Sequence, residues 1–111
     1  MNPKTLAASL ASLIEDSDPS RLEFSDSPAL LEDWVTLRPQ LIELAAFDES
    51  DKVREAAQKL RDAGNALFDL LPEPDRPLKL SDQEDLLRDY PRLHRAATDA
   101  AQKLLDAIAA T

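Results

Sequence analysis

The chain has no cysteine, one histidine, one glycine and only five aromatic residues in 111 positions. Without cysteine it can form no disulfide scaffold, thiol nucleophile, thiolate metal site or redox pair. A single histidine excludes a multi-histidine metal site built within one chain, and a single glycine cannot build a glycine-rich phosphate loop. No stretch approaches the roughly 18 uncharged apolar residues of a membrane span. Positive charge is also short: 13 Lys and Arg face 22 Asp and Glu, leaving a net charge of −9.

What is present favours helix. Leu occurs 20 times and Ala 17 times, whereas Val and Ile together occur five times. Ala and straight-chain residues lose little freedom in a helix, and the β-branched residues that suit strands are nearly missing. With 43% hydrophobic residues the chain is too apolar for simple disorder, despite 32% charged residues. Its length suits one domain, residues 1–111, able to bury a core of Leu packed on Ala without metal or disulfide support.

Four segments carry helical periodicity. Asn2-Pro3 reads as an N-cap and first helical position, followed by the stripe Leu6, Leu10, Leu13 and Ile14. Thr5 to Ile14 is uncharged and follows Lys4, as in a signal-peptide core. Three of its ten residues are Ser or Thr, however, and it reads instead as the first amphipathic helix, over 3–15. Residues 17–26 form a polar connector, with Leu22 and Phe24 expected to plug the core. Ser27-Pro28 opens a second helix, 28–47, with the stripe Leu30, Trp34, Leu37, Leu41 and Leu44. Pro39 lies within it but points away from the stripe at about 100° per residue, as in a kinked helix with the proline on the solvent side.

Asp48-Glu49-Ser50-Asp51 suits the start of a third helix, 50–71, whose stripe is Val53, Ala57, Leu60, Gly64, Leu67 and Leu71. The sole glycine falls on that buried stripe, at a cost of about 1 kcal/mol relative to Ala, which close approach of a neighbouring helix would offset. Three prolines between 72 and 77 force an extended connector. Ser81-Asp82-Gln83-Glu84 is a capping box for the last helix, 82–109, with the stripe Leu86, Tyr90, Leu93, Ala97, Leu104 and Ile108 and with Pro91 on its outer face. The expected fold is an all-α, up-down-up-down four-helix bundle with proline-kinked second and fourth helices. Ala56-Ala57-Gln58-Lys59-Leu60-Arg61-Asp62-Ala63 also echoes Ala100 to Ala107 at seven of eight positions, as a duplicated helical hairpin would.

Candidate sites follow from charge. Residues 1–50 hold three basic and ten acidic residues, whereas 51–111 hold ten and twelve. The acids Glu32, Asp33, Asp48, Glu49 and Asp51 are candidates for meeting a basic partner, although first turns and connectors favour acids in any case. Arg88, Arg92 and Arg95 recur at i, i+4 and i+7 opposite the last stripe. They could clasp a phosphate or a partner's carboxylates, meet the chain's own acidic half in a homodimer, or form an ordinary solvated face with Asp85 and Asp99. Trp34 is expected in the core, with an interface anchor as the alternative.

His94 is the one side chain whose ordinary pKa lies near neutrality, and it falls at the edge of the last stripe. A small acidic helical domain with a histidine on a helix face resembles histidine phosphotransfer domains, in which Lys and Gly follow the phosphorylated residue. Here Arg95-Ala96-Ala97 follow, so only Arg95 matches in character. Asp26-Ser27-Pro28 is similar to the Asp-Ser-Leu attachment site of acyl carrier proteins, but Pro replaces Leu and an N-cap explains the tripeptide. No Glu-x-x-His pair, nucleophile turn or carboxylate couple points to catalysis.

The expected function is a non-enzymatic, acidic helical interaction module in the cytoplasm: an adaptor, inhibitor or small subunit of a bacterial-type assembly. No cofactor or metal is expected, nor direct nucleic-acid or membrane binding. Alternatives are phosphotransfer through His94 and a DNA-mimic inhibitor.

Overall fold

The computed structural model describes residues 2–20, 27–71 and 80–110. Among these, all regular structure is helical: α1 Pro3–Asp16, α2 Ser27–Phe47, α3 Asp51–Phe68 and α4 Leu80–Ala109. No helix among the described residues is long and apolar enough to cross a membrane. The helix starts follow from capping chemistry. The Asn2 side-chain oxygen accepts the Thr5 N–H at 2.7 Å, and Pro3, which has no N–H to lose, takes the first position of α1. At α3, Ser50 Oγ accepts the Val53 N–H at 3.4 Å, while the Asp48 carboxylate accepts the Ser50 N–H at 2.9 Å.

Five boundaries differ from expectation, the end of α1 at Asp16 and the start of α3 at Asp51 by a single residue. The apolar repeat of α3 runs on to Leu71, but the helix stops at Phe68 because the chain tightens into i→i+3 bonds. Leu70 N–H donates to Leu67 and Leu71 N–H to Phe68, both at 3.2 Å. Leu71 remains in the core, so periodicity of burial outlasts the helix that generates it. Ser27 is the first residue of α2 rather than its cap; it is fully buried, and its hydroxyl has no partner among the described residues. The earlier start turns it inward. α4 begins at Leu80, two residues before the expected 82, within the range over which helix ends fray. The proposed plugs Leu22 and Phe24 and the proline-rich connector of 72–77 lie outside the described residues.

Packing follows a ring. α1 packs against α2 and α4, and α3 packs against α2 and α4. This is compatible with a four-helix bundle. All four helices contribute to a single apolar cluster, with Leu10, Ile14, Leu41, Leu60, Leu67, Phe68 and Leu104 at its most enclosed positions. Every stripe expected from the sequence faces this cluster, with Leu37, Leu93 and Ile108 at its margin. Trp34 is 3% exposed and stacks on Phe68 with ring centroids 5.0 Å apart. The glycine on the α3 stripe is explained by the same indole. A Cβ placed at Gly64 would lie 2.3 Å from the nearest Trp34 ring carbon, well inside contact distance. Pro39 and Pro91 both lie within helices and are exposed, on the solvent side as the wheel requires.

Candidate interaction surface

α2 differs from its neighbours because it is apolar on two sides. Its core face carries Leu30, Trp34, Leu41 and Leu44. A second row, Leu31, Val35, Pro39, Ile42 and Ala46, recurs at steps of four, four, three and four. Val35 is 57% exposed and Ile42 41%, with Pro39 and Ala46 also at the surface and Leu31 half-buried. Sequence reasoning read only the core stripe. Removing that stripe and testing the remaining apolar residues for helical spacing exposes the second row, and that was the missed signal.

Charges of opposite sign border this row. Glu43 lies on the α1 edge, where it shares a shallow depression with Pro3 and Leu6, and Glu32 follows the same edge one helical repeat earlier. Arg38 lies on the α3 edge, one turn beyond the Trp34 that covers Gly64. None of Glu32, Asp33, Arg38 and Glu43 forms an ion pair among the described residues. Arg38 and Glu43 are five positions apart on one helix and diverge by about 140°, so they cannot pair with each other. Asp33 faces the other way. With Asp16 it walls a groove between α1 and α2 that is lined also by Thr5, Ser9, Ser12 and Thr36 and by the apolar Ala8, Leu13 and Leu37.

Two of the remaining candidate acids, Asp48 and Asp51, serve local structure. Asp48 caps the turn, and its carbonyl accepts a 2.8 Å hydrogen bond from the Arg54 guanidinium, which also pairs with Asp51. Glu49 between them is exposed. The arginine row is likewise engaged on its own helix. Arg88 pairs with Asp85 at 2.9 Å and with Asp89 at 3.2 Å, and Arg92 lies 3.9 Å from Asp89; Arg95 is exposed. The hydrogen bond from Arg88 holds the Asp89 carboxyl below its ordinary range and raises Arg88 in return. The neighbours that neutralise the row are therefore Asp85 and Asp89, rather than Asp85 and Asp99.

The structure places two α4 side chains on the end of α1. Tyr90 Oη donates to the Ser17 carbonyl at 2.6 Å, and His94 Nε2 donates to the Ile14 carbonyl at 2.8 Å. A carbonyl only accepts, so Nε2 carries a proton here. The Ser17 hydroxyl also donates to Ile14 O at 2.8 Å and the Ser17 N–H at 3.1 Å, so side chains join the backbone in serving carbonyls at the helix end. Burial, together with the charge of Asp18, pushes the Tyr90 phenol up to about 12. His94 is thus a capping residue at the core boundary. Phosphorylation at Nε2 would require it to release Ile14.

The echo between α3 and α4 also gains a location. One open groove between these helices is lined by Lys52, Glu55, Ala56, Lys59 and Ala63 and by Ala96, Asp99, Ala100, Lys103 and Ala107. Each residue of the first set has its counterpart 44 positions later in the second. The similarity therefore produces one surface with an alanine floor and the matched lysines Lys59 and Lys103, to which α3 adds Lys52. Among the described residues no group of three or more His, Cys, Asp or Glu side chains is arranged to hold a metal ion.

No protein-family model matches the chain, and comparison with curated proteins and with solved structures gives no match either.

Proposed function

We propose that the protein is a non-enzymatic interaction module, an adaptor, inhibitor or small subunit, whose acidic α1–α2 half binds a protein with a basic surface. One observation carries this reading. Glu32, Asp33 and Glu43 of α2 form no ion pair among the described residues, and Glu32 and Glu43 flank exposed apolar residues, whereas Asp51, Glu55 and Asp62 of α3 and Asp85 and Asp89 of α4 pair with bases of their own helices. Solvation or helix dipoles alone would favour acids in first turns, and Glu43 lies late in α2 where the dipole opposes it. Asp16 and Asp33, brought to one groove, extend the negative surface onto α1.

In this reading the bundle is up-down-up-down. The pairing of Ile14 with His94 and of Ser17 with Tyr90 supports opposite directions for α1 and α4. Pro39 and Pro91 bend α2 and α4 around the core, since each removes one helical hydrogen bond on the outer side. A surface of this charge repels nucleic acid and anionic membranes, and the cytoplasm is the compartment it suits.

The test is capture of partners from the native host by the tagged chain across a salt series. Capture should fall steeply between low and high ionic strength and be lost in the triple variant Glu32→Gln, Asp33→Asn, Glu43→Gln. Capture that is flat with salt and unchanged in that variant overturns the reading.

A further inference from the structure

We propose that the outer row of α2 is the seat of a second copy of this chain, paired in parallel through a two-fold axis along the helix. The inference rests on the reading of α2 as the interacting helix, and it names the occupant of that helix's apolar side. Val35 and Ile42 stand exposed in one row with Pro39 and Ala46, so water contacts a continuous uncharged strip along most of α2. Removing that strip from water is favourable for any apolar occupant, and the edges decide which one.

The α3 edge carries the cation Arg38 and the α1 edge the anion Glu43, neither in an ion pair among the described residues. Two identical helices facing each other in parallel bring the α3 edge of one beside the α1 edge of the other. Arg38 and the other copy's Glu43 are then offset by five residues, the spacing of g-to-e′ ion pairs across a parallel coiled coil. Symmetry makes two such pairs. Val35, Pro39, Ile42 and Ala46 then occupy successive d, a, d and a positions of the seam. An antiparallel pairing brings like edges together, Arg38 towards Arg38 and Glu43 towards Glu43, and leaves every one of these charges unmatched.

Pro39 fits this seam because its ring adds apolar surface. It also leaves the Val35 carbonyl without a helical donor, and a guanidinium has donors enough to serve a carbonyl and a carboxylate together. Contact along one helix per protomer stays below about 1,200 Å² in total, so association should be weak and concentration-dependent.

The test measures mass by sedimentation equilibrium over a concentration series. The mass should rise from 12.3 kDa towards twice that value with increasing concentration. Ile42→Asp should hold it at the monomer value with an unchanged far-ultraviolet dichroism spectrum. Arg38→Glu and Glu43→Arg should each weaken the dimer about tenfold, and the double exchange should restore it. The chain has no cysteine, so Val35→Cys and Ile42→Cys report direction cleanly. In a parallel pair each single variant oxidises to a disulfide-linked dimer with itself, whereas an antiparallel pair links at most one of them. A chain that stays monomeric at every concentration overturns the proposal, as does a dimer unaffected by Ile42→Asp or linked by only one cysteine. If the chain is monomeric but partner capture remains salt-dependent, the pairing fails while the reading of an acidic module survives.

Discussion

The six-membered ring of Trp34 occupies the space that a side chain at Gly64 would need. A Cβ there would meet three indole carbons, at 2.3, 2.8 and 2.8 Å. Alanine is favoured over glycine in a helix by about 1 kcal/mol, so an open site would gain from Gly64→Ala. Here the overlap involves a large ring already stacked on Phe68, and overpacking of this kind costs about 1–3 kcal/mol. The expected outcome is net destabilisation by up to about 2 kcal/mol in urea unfolding, with a changed Trp fluorescence spectrum. Combining it with Trp34→Leu should make Gly64→Ala neutral or stabilising relative to Trp34→Leu alone. Strict additivity of the two changes would show that the ring and the glycine are not coupled.

Tyr90 makes stability fall at high pH. Its phenol is neutral when protonated, and burial raises its pKa from 10.0 to about 12 in the folded protein. Between these values the unfolded chain has released the proton and the folded chain still holds it. Stability is therefore fully present below about pH 10 and declines as pH rises through the folded pKa, by on the order of 2–3 kcal/mol in all. Urea midpoints measured from pH 8 to 12 should show this decline. Tyr90→Phe should be less stable at pH 8 and should lose this contribution to the slope. A slope identical in the two proteins would assign the alkaline loss to other groups.

Much of the fold was legible because burial in a helix leaves a periodic trace. Leu6 to Ile14, Leu30 to Leu44, Val53 to Leu71 and Leu86 to Leu104 all face the core as their spacing requires. The position of Gly64 predicted a close neighbour, and Trp34 is that neighbour. Periodicity carries no information about partners distant in sequence. The contact of Tyr90 with Ser17 spans 73 positions, and nothing near either residue announces it. The stop of α3 at Phe68 was hidden for the opposite reason, since Leu71 keeps the apolar rhythm after the backbone has left the helix. On α2 the core stripe masked a second one, whose spacing is present in the sequence and whose exposure the structure supplies.

The two well-defined N-caps differ in quality, and their removal should differ accordingly. Asn2 accepts the Thr5 N–H at 2.7 Å, whereas Ser50 accepts the Val53 N–H at 3.4 Å, near the limit of a hydrogen bond. Asn2→Ala should cost about 1 kcal/mol. Ser50→Ala should cost roughly half as much, because Asp48 and Arg54 hold the α2–α3 turn independently. Thermal unfolding of both variants in parallel checks the order. A larger loss at Ser50 would mean that bond length does not set the cap's contribution here.

His94 and Tyr90 act on the same helix end, so their effects should be coupled. His94→Leu leaves the Ile14 carbonyl with the hydroxyl and the N–H of Ser17, and Tyr90→Phe removes the donor to the Ser17 carbonyl. Tyr90→Phe should cost about 1–3 kcal/mol, the range for stranding a buried acceptor, and His94→Leu about 1 kcal/mol, the net value of an ordinary hydrogen bond, because Ile14 keeps two donors. Once one bond is lost, the end of α1 can turn to water, and the second loss then costs less. The double variant should therefore be more stable than the sum of single effects implies, by at least 0.5 kcal/mol on the usual scale of such couplings. His94→Gln, which retains an N–H donor, should lie closer to the unsubstituted protein than His94→Leu does. If Gln and Leu are equally destabilising, the ring contributes through packing beside Tyr90, 6.4 Å away, and not through its hydrogen bond.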